Sequence, residues 1–303
     1  MLPIINTYLE EMKVTKAEST VKNLKATLNK FAKAVKAAEP AEVLPEDVMD
    51  FKKALLKNGA VGTANTQLKR VKAFLSWCVA QGMIELNPAD AVKLVAEAEA
   101  IPKWLTKEQK AALLRAMNRD YLGINVTEAR KSYREILMVM IMMKSGLRVG
   151  EVCNLEWKDV NYSERKGTIL VRSNKTEQHR TVAITSDTLT ILKAYKAKHG
   201  TKGEYVFFSR QADKITERQV QIIVGKYQGL KTEVAEIEEL TPHMLRHTFG
   251  HDLINGGMQL EAVARLMGHI KKDGTPNIMQ TIRYTKASNE EVFGQQEDIL
   301  AIN

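Results

Sequence analysis

Thr241-Pro242-His243-Met244-Leu245-Arg246-His247-Thr248-Phe249, followed by Met267-Gly268-His269 and then Tyr284, decides how the rest of the chain is read. Thr241 is a good helix cap, and Pro242 suits a first helical turn, where its missing N–H costs nothing. His243 and Arg246 are three apart and share a face, with His247 one step round. Gly256-Gly257 closes this helix, and Leu260 to Met267 forms another that ends at Gly268-His269. Two histidines and an arginine on one short helix, then a third histidine and a tyrosine, point to a metal or to a phosphate. What precedes them decides between the two.

The chain has 303 residues, enough for two domains each with its own core. Its 45 Lys+Arg against 36 Asp+Glu leave a net charge of +9. Such a balance reads either as a solubilising surface or as attraction to a polyanion, since cations displace counterions from nucleic acid. Cys78 and Cys153 each sit in an apolar helical pattern and read as small core residues. No basic segment leads into a long apolar run at the N-terminus, and the richest apolar run, Ile136 to Met143, is too short to span a bilayer. The expectation is a soluble cytoplasmic protein with no membrane partner.

In the first third, Val21, Leu24, Leu28, Phe31 and Val35 recur at helical spacing behind a Ser19 or Thr20 cap. A second helix follows Pro45 and stops at Asn58-Gly59, and a third runs from about Thr63 to Gln81. Ala91 to Ala98 reads as a last short helix, giving a small helical bundle over residues 1–98. Lys22 and Lys25 on one helix and Lys69, Arg70 and Lys72 on another fit either plain solvated faces or a phosphate-tracking surface. The run into Pro102 reads as a linker, residues 99–105, because proline disfavours helix at the position before it. Thr106 caps the first helix of a second domain, residues 106–303.

There, Ser132 to Lys144 is too continuously apolar for a surface helix. It runs into Gly146-Leu147-Arg148-Val149-Gly150-Glu151, a glycine turn opening another helix, where Glu151 is placed to hold the Arg148 guanidinium. Gly167 to Val171 and Arg180 to Ile184 alternate with period two around the polar turn Ser173 to His179, a hairpin with Lys175 near its tip. A helix from Ser186 to Lys198, a strand from Tyr205 to Phe208 and a helix from Glu217 to Tyr227 complete the middle. No glycine-rich nucleotide loop, HExxH or CxxC pair is present, so neither a metal nor a nucleotide cofactor finds support.

In this order the pieces resemble the motifs of the tyrosine recombinase (phage integrase) family, of the compact two-domain Xer-like or transposon integrase and resolvase type. Gly146-Leu147-Arg148 with Glu151 is similar to the family's first arginine box, and Lys175-Thr176 with Arg180 and Val182 to its hairpin-lysine element. His243-Met244-Leu245-Arg246 is similar to its HxLR box, Met267-Gly268-His269 to its Leu-Gly-His, and Tyr284-Thr285 to its nucleophile motif. The resemblance implies a mainly α fold with a small antiparallel sheet: a SAM-like helical core-binding domain and an α-rich mixed α/β catalytic domain, forming a C-shaped clamp on DNA. It implies site-specific cutting and rejoining of DNA through a 3′-phosphotyrosyl link, without metal or ATP.

In that scheme Tyr284 is the nucleophile and Arg148 and Arg246 clamp the phosphate. Lys175 protonates the leaving oxygen, His243 accepts the tyrosine proton, and His269 bonds the phosphate. Glu151 orients, and His247 is structural. Arg180, Lys271 and Lys272 join Lys22, Lys25, Lys69, Arg70 and Lys72 as DNA contacts. The implied partners are double-stranded DNA with paired inverted core sites and a homotetramer in the synapse, built from monomers or dimers through a tail at about residues 288–303. The implied location is the bacterial nucleoid. A type IB topoisomerase shares the chemistry, and an idle DNA-binding protein would share the fold. One departure stands out: fifteen positions separate His269 from Tyr284, more than is usual in the family. The extra stretch, residues 270–276, reads as a neutral loop, a DNA contact, or a tether that sets how the tyrosine swings.

Overall fold

The computed structural model describes residues 1–57, 59–97, 102–122, 126–172, 179–199, 203–209, 211–271 and 273–285, with backbone only at 120–122, 126–132 and 199. The chain divides into two compact units, Met1–Ala100 and Ile101–Asn303. The described residues are mostly helical with small antiparallel sheets.

The first unit packs α1 (Leu2–Thr15), α2 (Glu18–Val35), α3 (Pro45–Lys57) and α4 (Val61–Ala80) around one apolar core. Leu28, Phe31, Leu68, Phe74 and Leu75 are fully enclosed there, each such burial being worth about 1.5–3 kcal/mol. Helix α1, which sequence periodicity did not reveal, adds Ile5, Tyr8 and Leu9, with the Tyr8 ring edge-on to Phe74 at 5.4 Å. Of the expected helix at Ala91–Ala98, the described residues 91–97 are not helical. Tight turns at 87–92 lead instead into extended chain. The buried Asn65 amide holds that chain from both sides, accepting from Val95 N–H (3.0 Å) and donating to Val95 C=O (2.8 Å). Those backbone groups are thereby satisfied without a helical turn.

In the second unit α5 (Lys107–Leu122) precedes α6 (Val126–Ser145), which starts earlier than its apolar run indicated. Helix α6 is buried on every side from Glu135 to Met143 because α5, α8 (Ser186–His199), α10 (Pro242–Asn255) and the sheet all pack on it. The sheet orders β1 (Val160–Tyr162), β2 (Gly167–Val171) and β3 (Arg180–Ile184), with Val171 opposite Arg180 at the hairpin end. The hairpin strands carry the residues that their period-two pattern indicated. The expected strand at Tyr205–Phe208 reduces to a single bridge, Tyr205 to Glu156, because its backbone pairs with the non-strand segment 155–157. Helix α9 (Glu217–Gly225) and a two-stranded ribbon, β4 (Leu230–Lys231) with β5 (Glu236–Ile237), lead to α10. No helix among the described residues is long and apolar enough to cross a membrane.

Gly146 ends α6 in the left-handed region (φ 66°), and a Cβ there would lie 2.2 Å from the Phe249 ring of α10. Backbone and packing both demand glycine at this turn, which aims the next residues at the site. Gly146→Ala should lower stability by about 2–5 kcal/mol, from left-handed strain plus overpacking. A wild-type urea midpoint for that variant would contradict this account.

Candidate active site

Helix α7 (Val149–Cys153) begins at Arg148, whose backbone N–H donates to Glu151 Oε2 at 2.7 Å. The same carboxylate accepts Arg148 Nη1 (2.9 Å) and a bidentate fork from Arg180 Nη1 and Nη2 (2.9 and 2.7 Å). Arg246 Nη1 lies 3.8 Å from it. Burial alone would raise the Glu151 carboxyl. The Arg180 fork, the Arg148 N–H and the Arg246 charge outweigh that and hold it at about 2.

The guanidiniums have a second set of partners. Helix α11 (Leu260–Met267) ends at Gly268 (φ 61°), and its last carbonyls lack intrahelical donors. Arg180 Nε donates to Leu266 C=O (2.7 Å), Arg246 Nη2 to Met267 C=O, and Arg148 Nη2 to Gly268 C=O (3.1 Å). Arg246 Nη1 also donates to Gly146 C=O. Three cations on the negative end of a helix are favourably placed. A Cβ at position 268 would come 2.8 Å from Arg180 Nη1 and 3.3 Å from Arg148 Nη1, so glycine is needed there for space as well as for φ.

Arg246 is almost wholly buried, and burial, then the Arg148 charge, lowers its affinity for a proton. A guanidinium nevertheless stays charged at neutral pH. His269, also buried, shares a hydrogen bond between Nδ1 and Thr281 Oγ1 (3.0 Å), and its Nε2 lies 3.5 Å from Arg246 Nη2. Burial and the cations of Arg246, Arg148 and Arg180 push its imidazole down to about 3, so it is neutral.

Tyr284 closes the cluster. Its ring lies near-parallel to His269 at 6.0 Å and seats against Gly250, where a Cβ would come within 3.2 Å of it. Burial raises its phenol, against the pull of Arg246, Arg283 and Arg148. Its hydroxyl lies 2.9 Å from His247 Nδ1. The histidine at the hydroxyl is therefore His247, set aside by the sequence reading, and not His243. His243 is exposed on the cleft wall, its ring 5.8 Å from that of His247. Sequence could not reveal this pairing, because it depends on how the segment after α11 folds back onto α10.

Arg148, Glu151, Arg180, His243, Arg246 and Gly268 line one open cleft of about 1130 Å³. Ile270 and Gly274 line it too. Among the described residues between His269 and Tyr284, the pairing is that of a miniature hairpin: Ile270 bridges Pro276, Lys271 N–H donates to Thr275 C=O (2.9 Å), and Asn277 N–H to His269 C=O (2.7 Å). Helix α12 (Ile278–Thr281) and a 3-10 turn then bring in the tyrosine.

The expected DNA contacts divide. Arg180 is corrected: its side chain is only 13% exposed and all three nitrogens are spent on Glu151 and Leu266, so it is an internal brace. Arg70 reaches from α4 to Thr27 Oγ1 on α2 (3.0 Å), so part of its role is to join two helices. Lys22, Lys25, Lys69 and Lys271 are exposed and Lys72 half-buried. Lys175, Lys272 and the tail at 288–303 lie outside the described residues, as do residue 98 and the first part, 99–101, of the expected linker. Among the described residues no group of His, Cys, Asp or Glu could hold a metal ion.

Two family models match the chain. The model of the Phage integrase family matches residues 103–291, and that of the Phage integrase central domain matches 3–94. The chain is 29% identical over 277 residues to tyrosine recombinase XerC of Thermodesulfovibrio yellowstonii, covering 88% of this chain and 87% of that one. It is 32% identical over 214 residues to tyrosine recombinase XerA of Thermococcus kodakarensis, covering 70% and 67%. In fold it resembles the Tn1549 transposon integrase in complex with transposon right end DNA (TM-score 0.70, 17% identity, 98% and 99% covered). It also resembles XerH recombinase bound to its difH substrate (TM-score 0.68, 18% identity, 92% and 78% covered).

Glu151 has a folded-state value far below its unfolded one, so it contributes stability above pH 4.5 that is lost as pH falls toward 2. Glu151→Gln, which leaves buried guanidiniums unpaired, should cost about 3–5 kcal/mol at pH 7. The gap to wild type should shrink between pH 4.5 and 2. Urea titrations across that range test this, and a pH-independent gap would refute it.

Proposed function

Because the chain belongs to the phage integrase family, and is a site-specific tyrosine recombinase that cleaves and rejoins DNA, we propose that its cleft receives one scissile phosphodiester and that Tyr284 attacks it. The observation that carries this reading is the Tyr284 hydroxyl, lodged in the cluster that holds Arg246, His247 and His269. Attack on phosphorus gives a 3′-phosphotyrosyl link and releases a 5′ hydroxyl, so the bond energy is kept for rejoining. Arg148 and Arg246 place planar cationic forks where charge develops on the non-bridging oxygens. Lys175 protonates the departing oxygen. His243, on the cleft wall, meets the phosphate from the solvent side. His269 reaches it through Nε2, and the Thr281 hydroxyl can give or take the proton at Nδ1.

The substrate is double-stranded DNA with paired inverted core sites, held in the nucleoid by a homotetramer assembled from monomers or dimers. Lys22, Lys25, Lys69, Lys72, Lys271 and Lys272 contribute phosphate contacts that position the duplex without reading its sequence. The tail, residues 288–303, docks on a neighbouring protomer and holds the synapse together.

On a nicked suicide duplex, Tyr284→Phe should form no covalent adduct at any time; an adduct would overturn the assignment. Arg148→Lys and Arg246→Lys should each slow adduct formation by roughly 10²-fold or more, because an ammonium cannot reproduce the fork. Truncation after Ala287 should abolish synapsis in gel-shift assays while single-site DNA binding persists, and intact synapsis would refute the role of the tail.

A further inference from the structure

We propose that Arg265, in the last turn of α11, grips the DNA phosphate that neighbours the one Tyr284 attacks. The inference rests on the cleft receiving that scissile phosphodiester, and it names a cation to which the motifs quoted above give no part. Among the described residues five arginines line the cleft: Arg148, Arg172, Arg180, Arg246 and Arg265. Four of them are engaged within the protein. Arg148 and Arg180 are bonded to Glu151 and to the carbonyls of Gly268 and Leu266, and Arg246 to those of Gly146 and Met267. Arg172 Nε donates to the buried Asp159 carboxylate at 2.8 Å. Arg265 is exposed, and among the described residues it has no hydrogen bond, ion pair or ring contact.

The ordinary reason for a cation at that place does not apply. An arginine in the last turn of a helix answers unpaired carbonyls and the negative end of the dipole. Here the carbonyls of Ala264 and Arg265 accept the backbone N–H groups of His269 and Gly268. Those of Leu266, Met267 and Gly268 accept Arg180, Arg246 and Arg148. The helix end is thus filled, carbonyl by carbonyl, without the side chain of Arg265. Glu261, one turn back at a spacing that suits an ion pair, is itself exposed and makes none with it among the described residues.

Its place along α11 fits the next phosphate of the strand. Met267 and Gly268, whose carbonyls hold Arg246 and Arg148, follow directly after Leu266 at the end of the same helix. A step of two to three residues along a helix is about 3–4.5 Å. Phosphates of one strand follow one another every ~3.4 Å along the duplex axis. A displacement of that size carries a guanidinium from the scissile phosphate to the adjacent one. The planar fork can take two oxygens there, and no bond inside the protein has to be released first.

The test measures equilibrium binding by the Tyr284→Phe protein, so that no strand is cut, to a duplex that the wild-type protein cleaves. Adding Arg265→Ala should weaken binding about 10-fold at ~0.1 M salt and make the slope of log K against log salt shallower by about 0.9, one phosphate contact. Arg265→Lys should keep the slope. A methylphosphonate, which removes the charge of one phosphate, is then walked along the cleaved strand. At one phosphate beside the scissile one it should weaken the Tyr284→Phe parent and leave Arg265→Ala unaffected. An unchanged salt slope in Arg265→Ala would overturn the proposal. So would a loss equal on every duplex, which is what a misfolded variant gives, or coupling to the scissile phosphate alone. An adduct formed by Tyr284→Phe sinks the nucleophile instead, whereas a silent Tyr284→Phe with no coupled phosphate sinks only the role of Arg265.

Discussion

A single buried carboxylate, Glu151, lets three guanidiniums share one corner of the protein. Two like charges about 4 Å apart repel by roughly 4 kcal/mol at an effective dielectric of 20, and here Arg148, Arg180 and Arg246 converge on one carboxylate. The carbonyl end of α11 supplies one acceptor for each arginine, and Gly146 C=O a further one for Arg246. Carboxylate and helix terminus together hold the three guanidiniums in fixed positions. Arg180 spends every nitrogen on this frame. Arg148, with its side chain 38% exposed to the cleft, keeps surface for a ligand.

The same frame ties the sheet to the C-terminal helices. Arg180 is the first residue of β3, directly after the hairpin turn, and it is anchored to both Glu151 and the end of α11. The start of β3 is thus fixed to Glu151 and to the end of α11. Tyr284, in turn, packs with Phe249, Val263 and Met267 in a small apolar cluster of its own, apart from the main core. Tyr284 therefore rests on α10, which bears Arg246, and on α11, which ends at Met267.

What could be read from sequence was whatever local periodicity and turn chemistry determine. The hairpin strands, the Thr241 cap and the Gly268 stop were all visible, because alternation, capping and left-handed glycines act within a few residues. The misreadings come from distant contacts. The alanine- and glutamate-rich run before residue 98 has high helical propensity, yet the Asn65 amide from α4 claims its backbone. Arg180 looks like any cation at a hairpin base until α7 and α11 are brought to it. His247 carries no spacing signal at all, because its significance depends on where Tyr284 comes to rest.

The miniature hairpin between His269 and Tyr284 separates contour length from reach. Its chain leaves at His269 and returns at Asn277, where one backbone hydrogen bond of 2.7 Å closes the neck. The backbone at His269 is thereby tied directly to Asn277, and the path from that neck to Tyr284 runs from Asn277 onward. An insertion on the far side of that neck leaves this path as it is. Because Ile270 and Gly274 stand on the wall of the cleft, edits to the hairpin register in what the cleft admits.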